Sequence, residues 1–242
     1  MDNGKLLKWY KEMGVDTFYD DTPVNRAAVA NKTKPTHTLS LVSSSASSRE
    51  IADKAETLAD LEQAVRKFDN CSIKKTALNT VFADGKAGAE IMFIGEAPGA
   101  NEDKEGIPFC GQSGKLLNNI LLSIALKRED VYITNTVFWR PPGNRRPTSD
   151  EIEMCRPFVE KHVALLNPKV IILVGSTAVE SLLGSKVSMH QLRDEFYEYN
   201  NSYLKQSIKT AVIFHPSYLL RQPSKKKLMW YDMLRIKQLL AN

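Results

Sequence analysis

Residues 91–126 read IMFIGEAPGANEDKEGIPFCGQSGKLLNNILLSIAL. The first four are apolar and Gly95 closes the run, which is the pattern of a short buried strand. From Ser113 to about Leu126 the apolar residues Leu116, Leu117, Ile120, Leu121 and Ile124 recur at helical spacing. Between them lies a loop of small residues, carboxylates and one large ring. A strand feeding a loop and then a helix is half of a βαβ unit, so the fold class turns on whether the pattern repeats.

It repeats. Downstream, residues 131–134, 170–174 (VIILV) and 211–214 are short apolar runs. Thr148 or Ser149 can cap a helix to about Leu166, with Asp150 and Glu151 well placed in its first turn. Gly175 and Ser176 lead into another helix, and a last one spans about 225–240. Upstream, a helical pattern runs from about Glu50 to Phe68 with Leu58, Leu61 and Val65 on one face. Alternation of this kind predicts an α/β fold: a three-layer α/β/α sandwich around a central, mainly parallel four-stranded sheet. Ligands in such sheets bind beyond the carboxyl ends of the strands, so the loops after Ile94, Thr134, Val174 and Phe214 should share one rim. No internal repeat is visible.

Residues 1–48 read as an N-terminal extension and 49–242 as the catalytic domain. In the extension Leu6, Leu7, Tyr10 and Met13 suit a short helix. Residues 31–48, NKTKPTHTLSLVSSSASS, have the composition of a flexible linker. The chain has 242 residues, 43% of them hydrophobic, and no run near the roughly 18 apolar residues of a membrane span. Acidic residues interrupt the N-terminus and no apolar segment follows, so it is not a signal peptide. Three cysteines, Cys71, Cys110 and Cys155, without close spacing argue against a disulfide framework and suit a reducing compartment. The expectation is a soluble cytoplasmic protein of bacterial type, associated with the nucleoid.

The formal charge is +5, but residues 201–242 hold eight Lys or Arg against Asp232 alone, so the rest of the chain is slightly negative. A local basic face suits a phosphate backbone. Lys225, Lys226 and Lys227 read equally well as a solvated helix face.

Each rim loop carries candidate chemistry. In residues 95–117, Gly95 and Gly99 permit tight turning and close backbone approach. Glu96 and Glu102 are candidate acid/base or water-positioning groups. Phe109 is either a pocket ring or core packing. Gly111, Ser113 and Gly114 open a helix whose amides can hold a phosphate. In residues 135–148, NTVFWRPPGNRRPT, Asn135 either steadies a turn or reads a base edge with one donor and one acceptor. Arg140, Arg145 and Arg146 flank a rigid Pro-Pro-Gly turn. In residues 214–223, FHPSYLLRQP, His215 is structural or catalytic, and Leu219 and Leu220 are too apolar for a loop tip unless they contact something.

In this order, GEAPG–x2–ED–x2–G–x–PF–x–G–x–SG, ITN, RPPGNR–x–PT and FHPSYLLR resemble family 4 of the uracil-DNA glycosylase superfamily, over about residues 68–240. The resemblance implies excision of uracil from DNA, which starts base-excision repair. Glu96 and Glu102 would position water or stabilise the sugar cation, with their division of labour open. His215 would support the departing uracil anion. Gly95, Phe109 and Asn135 would bind uracil, Phe109 by stacking and Asn135 by hydrogen bonds that refuse cytosine. Gly111, Ser113, Arg140, Ser217 and Arg221 would contact DNA, and Leu219 would wedge into the stack. The chemistry needs no metal ion.

The family also implies a [4Fe–4S] cluster on four cysteines, two of them spaced C–x2–C. Laid on this chain, the ligand positions hold Phe68, Cys71, Trp139 and Cys155. Neither aromatic ligates iron, and two thiolates are too few for a cubane. The cluster is therefore predicted lost, with no metal, Cys71 and Cys155 as remnant ligands, and the two aromatic rings filling its space. Cys110 stands at an apolar position of the PF–x–G motif and reads as a small buried residue. The related family X traps DNA covalently through a His in an inserted basic loop. RPPGNRRPTSDE here contains no His, so trapping is not expected.

The partners expected are uracil-containing DNA and no membrane. The chain should be a monomer, and repair or replication proteins could bind the extension. Two other readings stand beside the glycosylase. A catalytically silent DNA-binding relative would have lost a pocket residue, whereas Glu96, Phe109, Asn135 and His215 are all present. A nucleotide hydrolase would need a GxxxxGK[ST] loop, which the chain lacks. A pocket widened for other deaminated bases remains compatible with the sequence.

Overall fold

A computed structural model describes residues 47–184 and 189–241. The chain divides into two units, Met1–Ser44 and Ser45–Asn242, and the described residues belong to the second. The expected N-terminal helix and nearly all of the Ser/Thr-rich linker lie outside the described residues.

Ser47 and Ser48, expected to end the linker, instead begin helix α1 (Ser48–Asp53). The Ser47 hydroxyl accepts the Glu50 amide, and the Glu50 carboxylate accepts the Ser47 amide. The single helix expected over about 50–68 is two, because Thr57 and Asp60 form a second capping box that starts α2 (Leu58–Lys67). Two reciprocal caps in ten residues satisfy orphan amides twice, which one continuous helix would leave unused.

Most of the remaining elements alternate as expected, and residues 100–105, read as loop, form a further short helix. The remaining elements are β1 (Asp84–Gly85), β2 (Ile91–Gly95), α3 (Ala100–Glu105), α4 (Gln112–Leu122), β3 (Tyr132–Asn135), α5 (Ser149–Leu166), β4 (Val170–Val174), α6 (Ser176–Leu183), α7 (Met189–Leu192), β5 (Tyr197–Tyr199), β6 (Ile208–Ile213), α8 (Pro216–Arg221) and α9 (Lys226–Ala241). The strands form one sheet in the order β1-β3-β2-β4-β6-β5. The four inner strands are the expected ones and run parallel. The sheet is larger than expected, since β1 and β5 add antiparallel edges. At two and three residues these strands are too short to show a period of two in sequence.

Every residue of β2 and β4 is buried, as a strand covered on both faces requires. Alternate side chains feed opposite layers. Met92, Ile94, Ile171, Leu173 and Val212 pack beneath α1, α2 and α5, with Leu61, Val65, Phe158 and Val163. Phe93, Ile133, Ile172, Val174 and Ile213 pack beneath α4 and α9, with Leu117, Leu121, Met229 and Met233. This is the expected three-layer sandwich. The register pairs Gly95 with Asn135 and Val174 with Ile213 at the carboxyl ends of the strands. Among the described residues no helix is long and apolar enough to cross a membrane.

Candidate active site

The rim holds two adjoining cavities of about 470 and 400 Å3, and Glu96, Ala97, His215, Ser217 and Arg221 line both. The larger adds Gly99, Glu102, Phe109, Gly111, Ser113, Asn135 and Arg145; the smaller adds Gly175, Ser176, Met189, Phe214 and Tyr218. The loops after the four inner strands thus meet, as their order along the chain predicted.

Asn135 and Phe109 line the larger cavity, and Gly95, the last residue of β2, lies against both. A Cβ on Gly95 would lie 2.5 Å from Asn135 Oδ1 and 2.6 Å from the Phe109 ring, so only glycine lets the two approach across the strand end. Asn135 is 1% exposed, and among the described residues its buried Oδ1 has no hydrogen-bond partner. Such an acceptor costs roughly 1–3 kcal/mol until something donates to it. Phe109 takes a left-handed backbone, φ 50°, and is 5% exposed. Arg128 holds that turn, donating to Phe109 O at 3.1 Å and Pro108 O at 2.5 Å while pairing with Asp84. Sequence reading missed Arg128, because a charged residue after a helix carries no local sign of a partner 19 positions earlier.

The two carboxylates, equivalent in sequence, differ in the fold. Glu102 is held by three main-chain amides. Its Oε1 accepts the Cys110 and Gly111 amides at 3.0 and 2.8 Å, and its Oε2 accepts the Gly99 amide at 3.1 Å. It ties the two glycine turns of the loop together. Glu96 has its carbonyl fixed by the Thr136 hydroxyl, 2.6 Å, and its Oε2 accepts the Thr177 hydroxyl, 2.6 Å. Among the described residues its Oε1 has no partner.

His215 follows β6 and caps α8. Its Nδ1 accepts the Ser217 amide at 3.1 Å and lies 2.8 Å from the Ser217 hydroxyl. An Nδ1 that accepts an amide carries no proton, so the proton of the neutral ring is on Nε2. Burial, reinforced by the nearby Arg221 charge, lowers the pKa from 6.5 to about 4, so the ring is neutral at pH 7. Its centroid lies 5.5 Å from that of Phe109.

Two residues expected to contact DNA do not line the two cavities. Leu219 is fully buried in the core layer that holds Ile120, Met229 and Met233, because α8 turns this position inward. The next residue along the helix, Leu220, is 43% exposed. Arg140 does not line either cavity. It donates to Asn144 Oδ1 at 2.6 Å and faces buried Asp103 at 3.9 Å. Arg145 lines the larger cavity instead, held by a two-pronged ion pair with Glu151 at 2.6 and 2.8 Å.

Behind β3, Phe68 stacks on Trp139 with centroids 6.5 Å apart and meets Phe158 edge-on at 5.1 Å. Cys71 and Cys155 are both fully buried in the same layer. The Cys155 thiol lies against Cys71, and that contact together with burial pushes its pKa well above the ordinary thiol value. Among the described residues no three His, Cys, Asp or Glu side chains gather as metal ligands would. Two thiols and two packed aromatic rings do not fit the four-thiolate donor set of a cubane cluster.

A family model described as the uracil DNA glycosylase superfamily matches residues 82–235. The chain is 39% identical over 196 residues to a type-4 uracil-DNA glycosylase of Saccharolobus solfataricus, covering 78% of this chain and 88% of that one. A protein of the same description from Archaeoglobus fulgidus is 36% identical, covering 76% and 94%. One from Thermotoga maritima is 38% identical, covering 71% and 87%.

Proposed function

Since this chain belongs to the uracil DNA glycosylase superfamily, we propose that it is a uracil-DNA glycosylase whose larger rim cavity receives a uracil turned out of DNA. The enzyme hydrolyses the bond between uracil N1 and deoxyribose C1′, the first step of base-excision repair. The observation that carries the reading of the site is the buried, partnerless Oδ1 of Asn135 beside Phe109 and His215.

Uracil offers an N3–H donor beside its O4 acceptor. The Asn135 amide answers with Oδ1 and Nδ2. Cytosine presents the reverse pair and sets acceptor against acceptor, and a site built for one hydrogen-bond pattern rejects its opposite strongly. Phe109 stacks on the base. As the glycosidic bond breaks, the sugar becomes oxocarbenium-like and the bonding pair passes to the base. The neutral His215 Nε2–H donates to the anionic uracil O2, a fixed donor worth about 3 kcal/mol by analogy with oxyanion holes. Glu96 receives the proton of the attacking water through Oε1. Glu102 acts as the strut of the loop, since three main-chain amides already occupy it.

Extrusion of the base costs a few kcal/mol. Gly111, Ser113, Ser217 and Arg221 face the cavity and suit the flanking phosphates, with Arg145 in the place first given to Arg140. Leu220 is the exposed apolar side chain beside them, suited to fill the vacated stack. The chain does this work as a cytoplasmic monomer without an iron–sulfur cluster, its N-terminal extension free for repair or replication partners.

A labelled oligonucleotide with one uracil, treated with alkali after reaction, tests the reading. The wild type should yield strand cleavage, and Asn135→Ala should be slower by about 100-fold or more. Absence of cleavage by wild type on single-stranded, U·G and U·A substrates would overturn it.

A further inference from the structure

Thr177 opens the second position of α6, on the loop after β4. Its side chain is fully buried, and its hydroxyl donates 2.6 Å to Glu96 Oε2 across 81 residues of sequence. Glu96 lies on the wall shared by the two cavities. Its main chain is fixed separately, through the Thr136 hydroxyl. Without Thr177 nothing among the described residues would hold the carboxylate itself.

We propose that Thr177 is the positioning residue for the reaction, pinning one Glu96 oxygen so that the other meets the attacking water. The inference rests on the glycosylase reading above. In the step, the water oxygen bonds to C1′ and its proton goes to Glu96 Oε1. The C1′–N1 bond breaks and its electron pair leaves with uracil. A carboxylate on three rotatable bonds samples many orientations, and only those with Oε1 toward C1′ are productive. A donor locked in the core removes the others before substrate arrives. Thr177 never touches substrate. Glu102 is differently placed, since three main-chain amides already bond its two oxygens and tie it to the loop.

The test is single-turnover excision by the full chain on a uracil oligonucleotide, with rate followed against enzyme concentration. Thr177→Val keeps the shape and removes the donor. Its maximal rate should fall about 10- to 100-fold while the half-saturating concentration stays within a factor of two or so, the size of effect expected from loosening one reacting group. Thr177→Ser restores the hydroxyl and should recover to within about threefold of wild type. On a Glu96→Ala background Thr177→Val should cost nothing further. A Val variant as fast as wild type, a Ser variant as slow as Val, or an undiminished loss on the Glu96→Ala background would each overturn the proposal. So would a Val variant that fails to fold, since it would assign the hydroxyl to core stability. An inactive wild type would instead sink the glycosylase reading itself.

Discussion

Replacing Gly95 by alanine adds one methyl against two residues of the cavity lining, Asn135 and Phe109. Gly95 has no positive φ, so alanine meets no backbone penalty there, and the effect comes from the new contacts. The methyl carbon would stand 2.6 Å from two Phe109 ring carbons and 2.5 Å from Asn135 Oδ1. Non-bonded carbons rest about 3.5–4.0 Å apart, so the ring and the amide must each retreat by about 1 Å. The ring is poorly placed to yield, because Arg128 holds the carbonyls of Pro108 and Phe109. Behind it Gly114 packs so closely on Phe109 O that a Cβ there would lie at 1.6 Å. A misplacement of about 1 Å in a reacting assembly costs about 100-fold in rate, which is about 2.7 kcal/mol at the transition state. Overpacking a buried site costs about 1–3 kcal/mol of stability, so the variant should fold but melt earlier. Single-turnover excision of uracil, with a melting curve on the same preparation, reads both effects. A Gly95→Ala enzyme within threefold of wild type would refute the reasoning, because the ring and amide would then be free to move without consequence.

Because burial holds His215 neutral down to about pH 4, the excision rate should stay level through pH 6.5 and fall only toward pH 4; an acid limb centred near 6.5 would contradict the assigned tautomer and burial. Folding stability should behave differently. The pKa of His162 is lowered to about 3 by burial, and both histidines then take up protons in the unfolded chain first, so stability is lost as pH falls below 6.5. Each contributes at most about 2.7 kcal/mol between pH 6.5 and 4.5, measurable as a falling urea midpoint. Leu220→Ala should slow excision from duplex more than from single-stranded DNA, with little change in melting. Leu219→Ala should instead cost about 2–5 kcal/mol of stability. The reverse assignment of losses would restore Leu219 as the wedge. Purified protein should lack a visible absorbance shoulder and bind less than stoichiometric iron, and a coloured, iron-loaded sample would contradict the reading of Phe68 and Trp139.

Four strands, most helices and the shared rim were legible in sequence because buried parallel strands and amphipathic helices write their periods into the residues. VIILV can only be a covered strand or part of a buried helix, and Gly175, which closes the run of five, decides for a strand that ends before the next helix. The edge strands β1 and β5 were not legible, being too short to carry a period, and the break at Thr57 lay in a capping box inside a helical pattern.

Within the site, the sequence by itself determined the inventory. Glu96, Phe109, Asn135 and His215 follow three parallel strands, and the strand order forces their loops to one edge. It also carried the chemistry of Phe68 and Trp139, rings that cannot ligate iron, since a side chain's chemistry needs no fold to be read. Tertiary structure alone decided what each group is free to do. It tied Glu102 to three amides, left one Glu96 oxygen open among the described residues, turned Leu219 inward and Leu220 outward, and set the proton of His215 on Nε2. The physical reason is that hydrogen bonding and burial depend on neighbours brought close in space from distant positions in the chain. Thr177 and Glu96 stand 81 residues apart and meet only once the sheet has set β2 beside β4.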